Sequence, residues 1–153
     1  MLSPWFRYFK AEIEDNFEQK EVRSDRVVFL ATSHYSGNHY PLYDGKPFIA
    51  TRKRFETPLG SVVADQEFMN LLEEQSEATG CSFSDRAHRS EHSIELHLIF
   101  LQYLWSHPFK IVPILVGSLE ELYYKEDGDV GQKVLAMASL LREHSGDENN
   151  TFF

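Results

Sequence analysis

The arrangement of apolar and polar positions along the chain predicts alternating helices and buried strands. Apolar residues recur at helical spacing through residues 4–21, with acidic residues between them, so this segment is predicted to form an amphipathic helix. Two later runs, residues 27–31 and residues 110–117, are apolar without polar alternation. Such runs are typical of strands that are buried on both faces of a parallel sheet.

Three further helices are predicted from capping residues, helix breakers and apolar spacing. The first begins at Asp65 and ends near Gly80, the second runs from near Ser90 or Glu91 to Pro108, and the last covers about residues 129–143.

The segments between these elements are predicted to be less regular. Residues 37–60 are rich in Gly, Pro and aromatic side chains, which favours a long loop or a small hairpin. Residues 82–90 are polar and are predicted to be irregular. Phe152 and Phe153 follow a polar loop, a pattern that favours the first residues of a further buried strand. The order of elements therefore predicts an α/β fold, in which a mostly parallel sheet is flanked by helices and is incomplete.

Composition and charge narrow the classes of function. The 153 residues are enough for one domain with its own core. A formal net charge of −9 argues against a nonspecific nucleic-acid or anionic-membrane binder, since phosphate binding needs clustered positive charge. No apolar run reaches the roughly 20 residues that a membrane-spanning helix needs. Cys81 is the single cysteine, which excludes an intrachain disulfide and suits a reducing compartment, so we expect a cytoplasmic location.

Ser33 and His34 directly follow the first predicted strand. Binding and catalytic sites of α/β sheets are built at the carboxyl ends of the strands. A histidine in this position can bind a metal or transfer a proton through one ring nitrogen while the other is held by a carbonyl or carboxyl group. The alternative is an ordinary loop histidine.

A second group of polar residues lies at the predicted start of the second helix. Glu91 and Glu95 are spaced i, i+4, and His92 and Glu95 are spaced i, i+3. A carboxyl group beside an imidazole can fix its tautomer or take part in general-base chemistry. The alternative is that the acidic residues stabilise the positive end of the helix dipole. We expect structural roles for His97 and His107, and no catalytic role for Cys81, which is predicted to lie in a loop.

Four short motifs occur in a fixed order along the chain. In that order they resemble the Memo family, whose bacterial and archaeal members are called AmmeMemoRadiSam system protein B. The motifs are Ser33-His34-Tyr35, residues 55–60 (FETPLG) followed by Asp65, residues 91–95 (EHSIE) and residues 111–117 (IVPILVG). The resemblance covers residues 26–118, so we divide the chain into an N-terminal helix within residues 1–25, outside the match, and a partial Memo-like α/β domain over residues 26–153.

The resemblance implies a fold similar to that of the class III extradiol dioxygenases, which use a non-heme metal. It also implies a non-heme iron or copper ion in full-length relatives. It makes His34 a metal ligand and places Glu91 and His92 nearby as the candidate catalytic residues, in orienting or proton-transfer roles. The implied function is metal-dependent redox or dioxygenase-like chemistry on an unknown small substrate. The family's other metal ligands have no counterpart in this sequence, and a substitute site could combine His34 with His39, His88 or His92 and with Glu91.

Because the ligand set is incomplete, a second function remains open. The chain could be a non-catalytic interaction module or an inactive remnant, with a protein partner or a second copy of itself in place of a substrate. An open strand edge left by missing neighbours would favour such association.

Overall fold

A mixed five-stranded sheet organises the part of the chain that the computed structural model describes, which is residues 25–34, 46–117, 119 and 128–144 with the backbone of 150–152. The strands are β1 (Arg26–Thr32), β2 (Phe48–Ala50), β3 (Phe55–Thr57), β4 (Gly60–Val62), β5 (Cys81–Phe83), β6 (Lys110–Val116) and β7 (Asn150–Phe152). The helices are α1 (Gln66–Glu74), α2 (Ser76–Thr79), α3 (Asp85–Arg89), α4 (Ser93–Leu104) and α5 (Asp129–Glu143).

The strand order of the main sheet is β5-β2-β6-β1-β7. β1 runs parallel to both β6 and β7, and β2 runs parallel to β5 but antiparallel to β6. β3 and β4 form a separate antiparallel hairpin. The predicted α/β class and mostly parallel sheet are therefore confirmed, and the reversed direction of β2 was not predicted.

Helices cover the two faces of the sheet, and alternate residues of each strand point to opposite faces. One buried cluster joins the sheet to α1 and α5, through Val28, Val112, Ile114, Phe68, Met69, Leu72, Met137 and Leu140. The other joins the opposite face to α4 and the β3–β4 hairpin, through Val27, Phe29, Ile111, Leu115, Phe55, Val62, Ile94 and Leu98.

Asp65 is the N-cap of α1, as predicted, but the single helix predicted from Asp65 to near Gly80 is two helices, α1 and α2. The Asp65 side chain accepts hydrogen bonds from the backbone N–H groups of Glu67 and Phe68, and the Arg26 Nε donates to its Oδ2 at 2.6 Å. Burial raises the pKa of Asp65, but the hydrogen bonds from Arg26 and Phe68 and the positive charges nearby lower it by more, so its net pKa lies below the usual value. The cap therefore also ties α1 to the first residue of β1.

Several predicted boundaries need correction. The segment 37–60, predicted to be a long loop or a small hairpin, contains β3, which forms a small hairpin with β4. It also contains β2, which was not predicted because its three apolar residues are too short a run to indicate a strand. The segment 82–90 is not irregular, because it contains the end of β5 and all of α3. These elements depend on pairing with β2 and on a cap in which Ser84 Oγ accepts from the Ala87 N–H, neither of which is visible in hydropathy.

Other predictions agree with the structure or fall outside it. The last helix and the two long strands are confirmed, and a strand does form near the end of the chain, at Asn150–Phe152. The predicted helix over residues 4–21 lies outside the described residues. Within the described part of the chain, no helix combines the length and apolar character needed to cross a membrane.

Candidate functional site

Ser33 and His34 lie at the carboxyl end of β1. The Ser33 backbone N–H donates to the carbonyl oxygen of Val116, at 3.0 Å, so the two strands β1 and β6 remain joined one residue beyond the end of β1. Ser33 is buried, whereas the side chain of His34 is 60% exposed. The sheet therefore fixes the backbone at His34 and leaves the imidazole at the surface.

Glu91 brings a buried carboxyl group to this sheet edge. It lies in the short connection between α3 and α4, and its side chain is 2% exposed. Its Oε1 accepts from the Ser33 hydroxyl at 3.4 Å, and its Oε2 lies 3.3 Å from Nδ1 of His34. Residues that are 57 and 58 positions apart in sequence thus meet at one point.

This geometry constrains the imidazole of His34. When Nδ1 carries the proton, it donates to Glu91, and the lone pair of the neutral ring is then on Nε2, on the opposite side of the ring. Histidine ligands of metals commonly have this arrangement, with a carboxyl group holding the nitrogen that does not bind the metal. The same arrangement suits a histidine that accepts a proton at Nε2.

His92 occupies a different environment from Glu91, although the two are adjacent. Its Nδ1 lies 3.6 Å from Oε2 of Glu95, as the i, i+3 spacing predicted, and its side chain is exposed. The prediction that α4 begins near Ser90 or Glu91 was wrong, because Glu91 turns toward the sheet edge and the helix begins at Ser93. Glu91 and Glu95 therefore do not share a helix face.

His88 is a buried histidine that the sequence offered only as a substitute metal ligand. Its Nε2 lies 3.0 Å from the carbonyl oxygen of Ile49 in β2, and its ring meets that of Phe55 edge-on at 6.2 Å. Burial lowers the pKa of His88 to about 4, outweighing the opposing effects of the Ile49 carbonyl and two nearby carboxyl groups. The ring is buried, and the described residues place no group of three or more metal-ligating side chains around it, so the structure does not support His88 as a metal ligand. The sequence gives one hint that His88 is buried, which is that it directly follows the apolar Ala87. Both residues are buried in α3.

The remaining candidates have structural surroundings. His97 Nδ1 lies 2.6 Å from the carbonyl oxygen of Ser93, and the His107 ring stacks on Trp105. Cys81 is the first residue of β5 and not part of a loop, and burial raises the pKa of its thiol to about 12. A thiol with so high a pKa is protonated at neutral pH, and the absence of a catalytic role for Cys81 stays a prediction.

The described residues provide only part of a metal site. His34 supplies one candidate ligand and Glu91 the carboxyl group that orients it, but the described residues contain no group of three or more His, Cys, Asp or Glu side chains able to hold a metal ion. His39, which the sequence raised as a further ligand, lies outside those residues. The described residues therefore fit one ligand position and not a complete site.

Comparison with known families gives a single assignment. A family model described as "Memo-like protein" matches residues 12–145. The chain belongs to the Memo-like family. The match is longer than the stretch that carries the four motifs, and it begins inside the segment 1–25. The division of this Memo-like chain at residue 25 stays a prediction.

The relatives of this Memo-like chain include archaeal proteins. A "MEMO1 family protein" of Desulfurococcus amylolyticus is 32% identical over 125 residues, which cover 76% of this chain and 41% of the relative. A relative from Saccharolobus islandicus is 38% identical over 96 residues, covering 63% of this chain and 31% of the relative. One from Methanococcoides burtonii is 35% identical over 108 residues, covering 65% and 39%. The chain thus spans about two fifths or less of these curated relatives, and no solved structure matches it.

Proposed function

We propose that His34 is a ligand of a non-heme iron or copper ion in the whole protein, which carries out redox or dioxygenase-like chemistry on a small substrate. The observation that carries the proposal is the 3.3 Å contact between His34 Nδ1 and Oε2 of the buried Glu91. Membership of the Memo-like family supports it, as does the position of His34 at the carboxyl ends of two parallel strands.

Each residue of the site has a defined part in this proposal. His34 binds through Nε2, Glu91 keeps the proton on Nδ1 and fixes the plane of the ring, and the Ser33 hydroxyl holds the second oxygen of Glu91. A bound iron or copper ion would supply electron exchange. A catalytic metal generally needs about three protein ligands, so the remaining ligands belong to parts of the protein outside the described residues.

The test is metal retention by the purified whole protein, since the proposed site needs ligands from outside the described residues. The protein is loaded with Fe(II) under nitrogen or with Cu(II), passed through a gel-filtration column, and its metal content is measured by mass spectrometry. We expect His34→Ala to lose the retained metal and Glu91→Ala to weaken binding about 10- to 100-fold, the usual effect of removing an orienting partner. His97→Ala is the matched control, because it removes an exposed histidine on α4 that lies outside the site.

The opposite result would favour a different function. If the whole protein retains no iron or copper, or if its His34→Ala and His97→Ala variants both retain as much metal as the unmodified protein, His34 is not a metal ligand. The non-catalytic interaction role, which needs no metal, would then replace the proposal.

A further inference from the structure

His88 is a further buried polar residue, besides Ser33 and Glu91. It lies three positions before Glu91 and has no part in the chemistry proposed above. It is 7% exposed, and it belongs to α3, a helix of five residues. Polar side chains are rarely buried unless they are hydrogen-bonded, so a histidine at this position needs a structural reason.

The side chain of His88 anchors α3 to the sheet. Because burial keeps the ring neutral at neutral pH, Nε2–H can donate to the carbonyl oxygen of Ile49 at 3.0 Å. Ile49 is fully buried in β2 and pairs with Leu115 of β6. The same β6 also holds Ser33 through the Val116 carbonyl. The anchor of His88 is therefore part of the sheet that positions His34.

Backbone hydrogen bonds connect His88 to Glu91. The His88 carbonyl oxygen accepts from the N–H of Ser90 and from the N–H of Glu91, the latter at 3.3 Å. At the other end of α3, the Thr51 hydroxyl donates to Asp85 at 2.6 Å. Both ends of this short helix are thus attached to β2 or to the residue that follows it, and Glu91 leaves the helix from a fixed point.

We propose that His88 is a positioning residue that holds Glu91 within hydrogen-bond distance of His34, by donating from its imidazole to the Ile49 carbonyl. The inference rests on the proposed function in one respect, namely that Glu91 orients His34. A change at residue 88 that removes the donor would release the connection that carries Glu91, and the contact of 3.3 Å would be lost without any change in the residues that make it.

The test measures the tautomer of His34 directly. The chain is labelled with ¹⁵N-histidine, long-range ¹H–¹⁵N spectra are recorded at pH 8, where an ordinary imidazole is neutral, and the His34 signals are assigned from their absence in His34→Ala. We expect the Nδ1–H form to predominate in the unmodified chain. His88→Phe, which fills the space without a donor, should lower the ratio of Nδ1–H to Nε2–H about fivefold, the change that one net hydrogen bond produces.

Three further variants serve as the reference, the rescue and the control for this measurement. Glu91→Ala defines the ratio in the absence of the contact. His88→Gln restores an N–H donor and should keep the ratio of the unmodified chain. His144→Phe is the matched control, because the His144 ring packs edge-on against Phe68 in the opposite cluster and its loss should leave the ratio unchanged.

The outcomes separate the two proposals. If Glu91→Ala leaves the ratio unchanged, the orienting role of Glu91 fails. If Glu91→Ala lowers the ratio but a folded His88→Phe does not, Glu91 orients His34 and the positioning role of His88 is overturned. If His88→Phe does not fold, His88→Gln decides, since a folded Gln variant with the ratio of Glu91→Ala would overturn the role of the donor.

Discussion

At the scale of single residues, the buried imidazole of His88 links folding to pH. Its pKa is about 4 in the folded chain, compared with 6.5 for an ordinary histidine. Between these values the unfolded chain binds more protons than the folded chain, so the free energy of unfolding falls as the pH is lowered, and the loss is complete below pH 4. We expect this residue to cost about 2 kcal/mol between pH 7 and pH 5, measured by urea unfolding at each pH.

The comparison that isolates this effect is His88→Gln, which keeps a donor for Ile49 but cannot be protonated. Other groups titrate equally in both chains, so the difference between their pH dependences belongs to residue 88. Equal loss of stability on acidification in the two chains would show that His88 is protonated as readily when folded as when unfolded.

The contact between Glu91 and His34 shows which parts of the candidate site can be predicted from the sequence and which cannot. His34 could be identified because it follows a strongly apolar strand, and strand ends are where sites form. The i, i+3 spacing of His92 and Glu95 predicted that these two side chains are neighbours, and the structure places them in contact. Glu91 was linked to His34 only through the resemblance to a family, because no local pattern reports a contact across 57 positions. The anchor of His88 depends on β2, which was itself not predicted.

At the scale of elements, the backbone of Gly80, which ends α2, packs closely against Lys133 of α5. It has the left-handed conformation, with φ of +62°, and a Cβ at this position would lie 2.6 Å from Lys133 Cδ and 2.8 Å from Pro47 Cδ. We therefore expect Gly80→Ala to lower the free energy of unfolding by about 2 kcal/mol, from the left-handed backbone and the crowding together. Urea unfolding of the two chains measures this difference.

A second variant divides the two causes. Lys133 is a flexible side chain and can move, whereas Pro47 is part of a rigid ring. Adding Lys133→Ala to Gly80→Ala should therefore recover less than half of the lost stability. Full recovery would assign the cost to the lysine alone, and a Gly80→Ala chain as stable as the original would contradict the close packing of α2 against α5.

The elements that were predicted share a strong local pattern, and those that were missed share a dependence on distant partners. β1, β6 and α5 have long apolar or amphipathic runs and were placed within one or two residues. β2 and β5 have three residues each and are stabilised by pairing with each other, and β2 also pairs with β6. The start of α4 was misplaced because Glu91 is drawn to Ser33, an interaction that no helix signal contains.

At the scale of the whole molecule, β7 protects an edge of the sheet. It pairs with residues Arg26, Val27 and Val28 of β1, on the side of β1 opposite β6. Without β7, β1 would become the edge strand, and its unpaired backbone groups would be available to another chain. Deleting residues 150–153 should therefore lower the free energy of unfolding by about 2 kcal/mol, at about 1 kcal/mol for each backbone hydrogen bond, and cause association that increases with concentration.

Leu30 offers a way to distinguish edge pairing from general loss of stability. It lies in β1 beyond the residues that pair with β7 and is exposed, so a charge there would oppose strand addition without disturbing the core. We expect the truncated chain to sediment as oligomers in the analytical ultracentrifuge and the truncated chain with Leu30→Lys to return toward the monomer, while both keep the lowered urea midpoint. A truncated chain that stays monomeric at the original midpoint would show that β7 contributes nothing to the sheet, and association that Leu30→Lys does not reduce would place the contact elsewhere on the molecule.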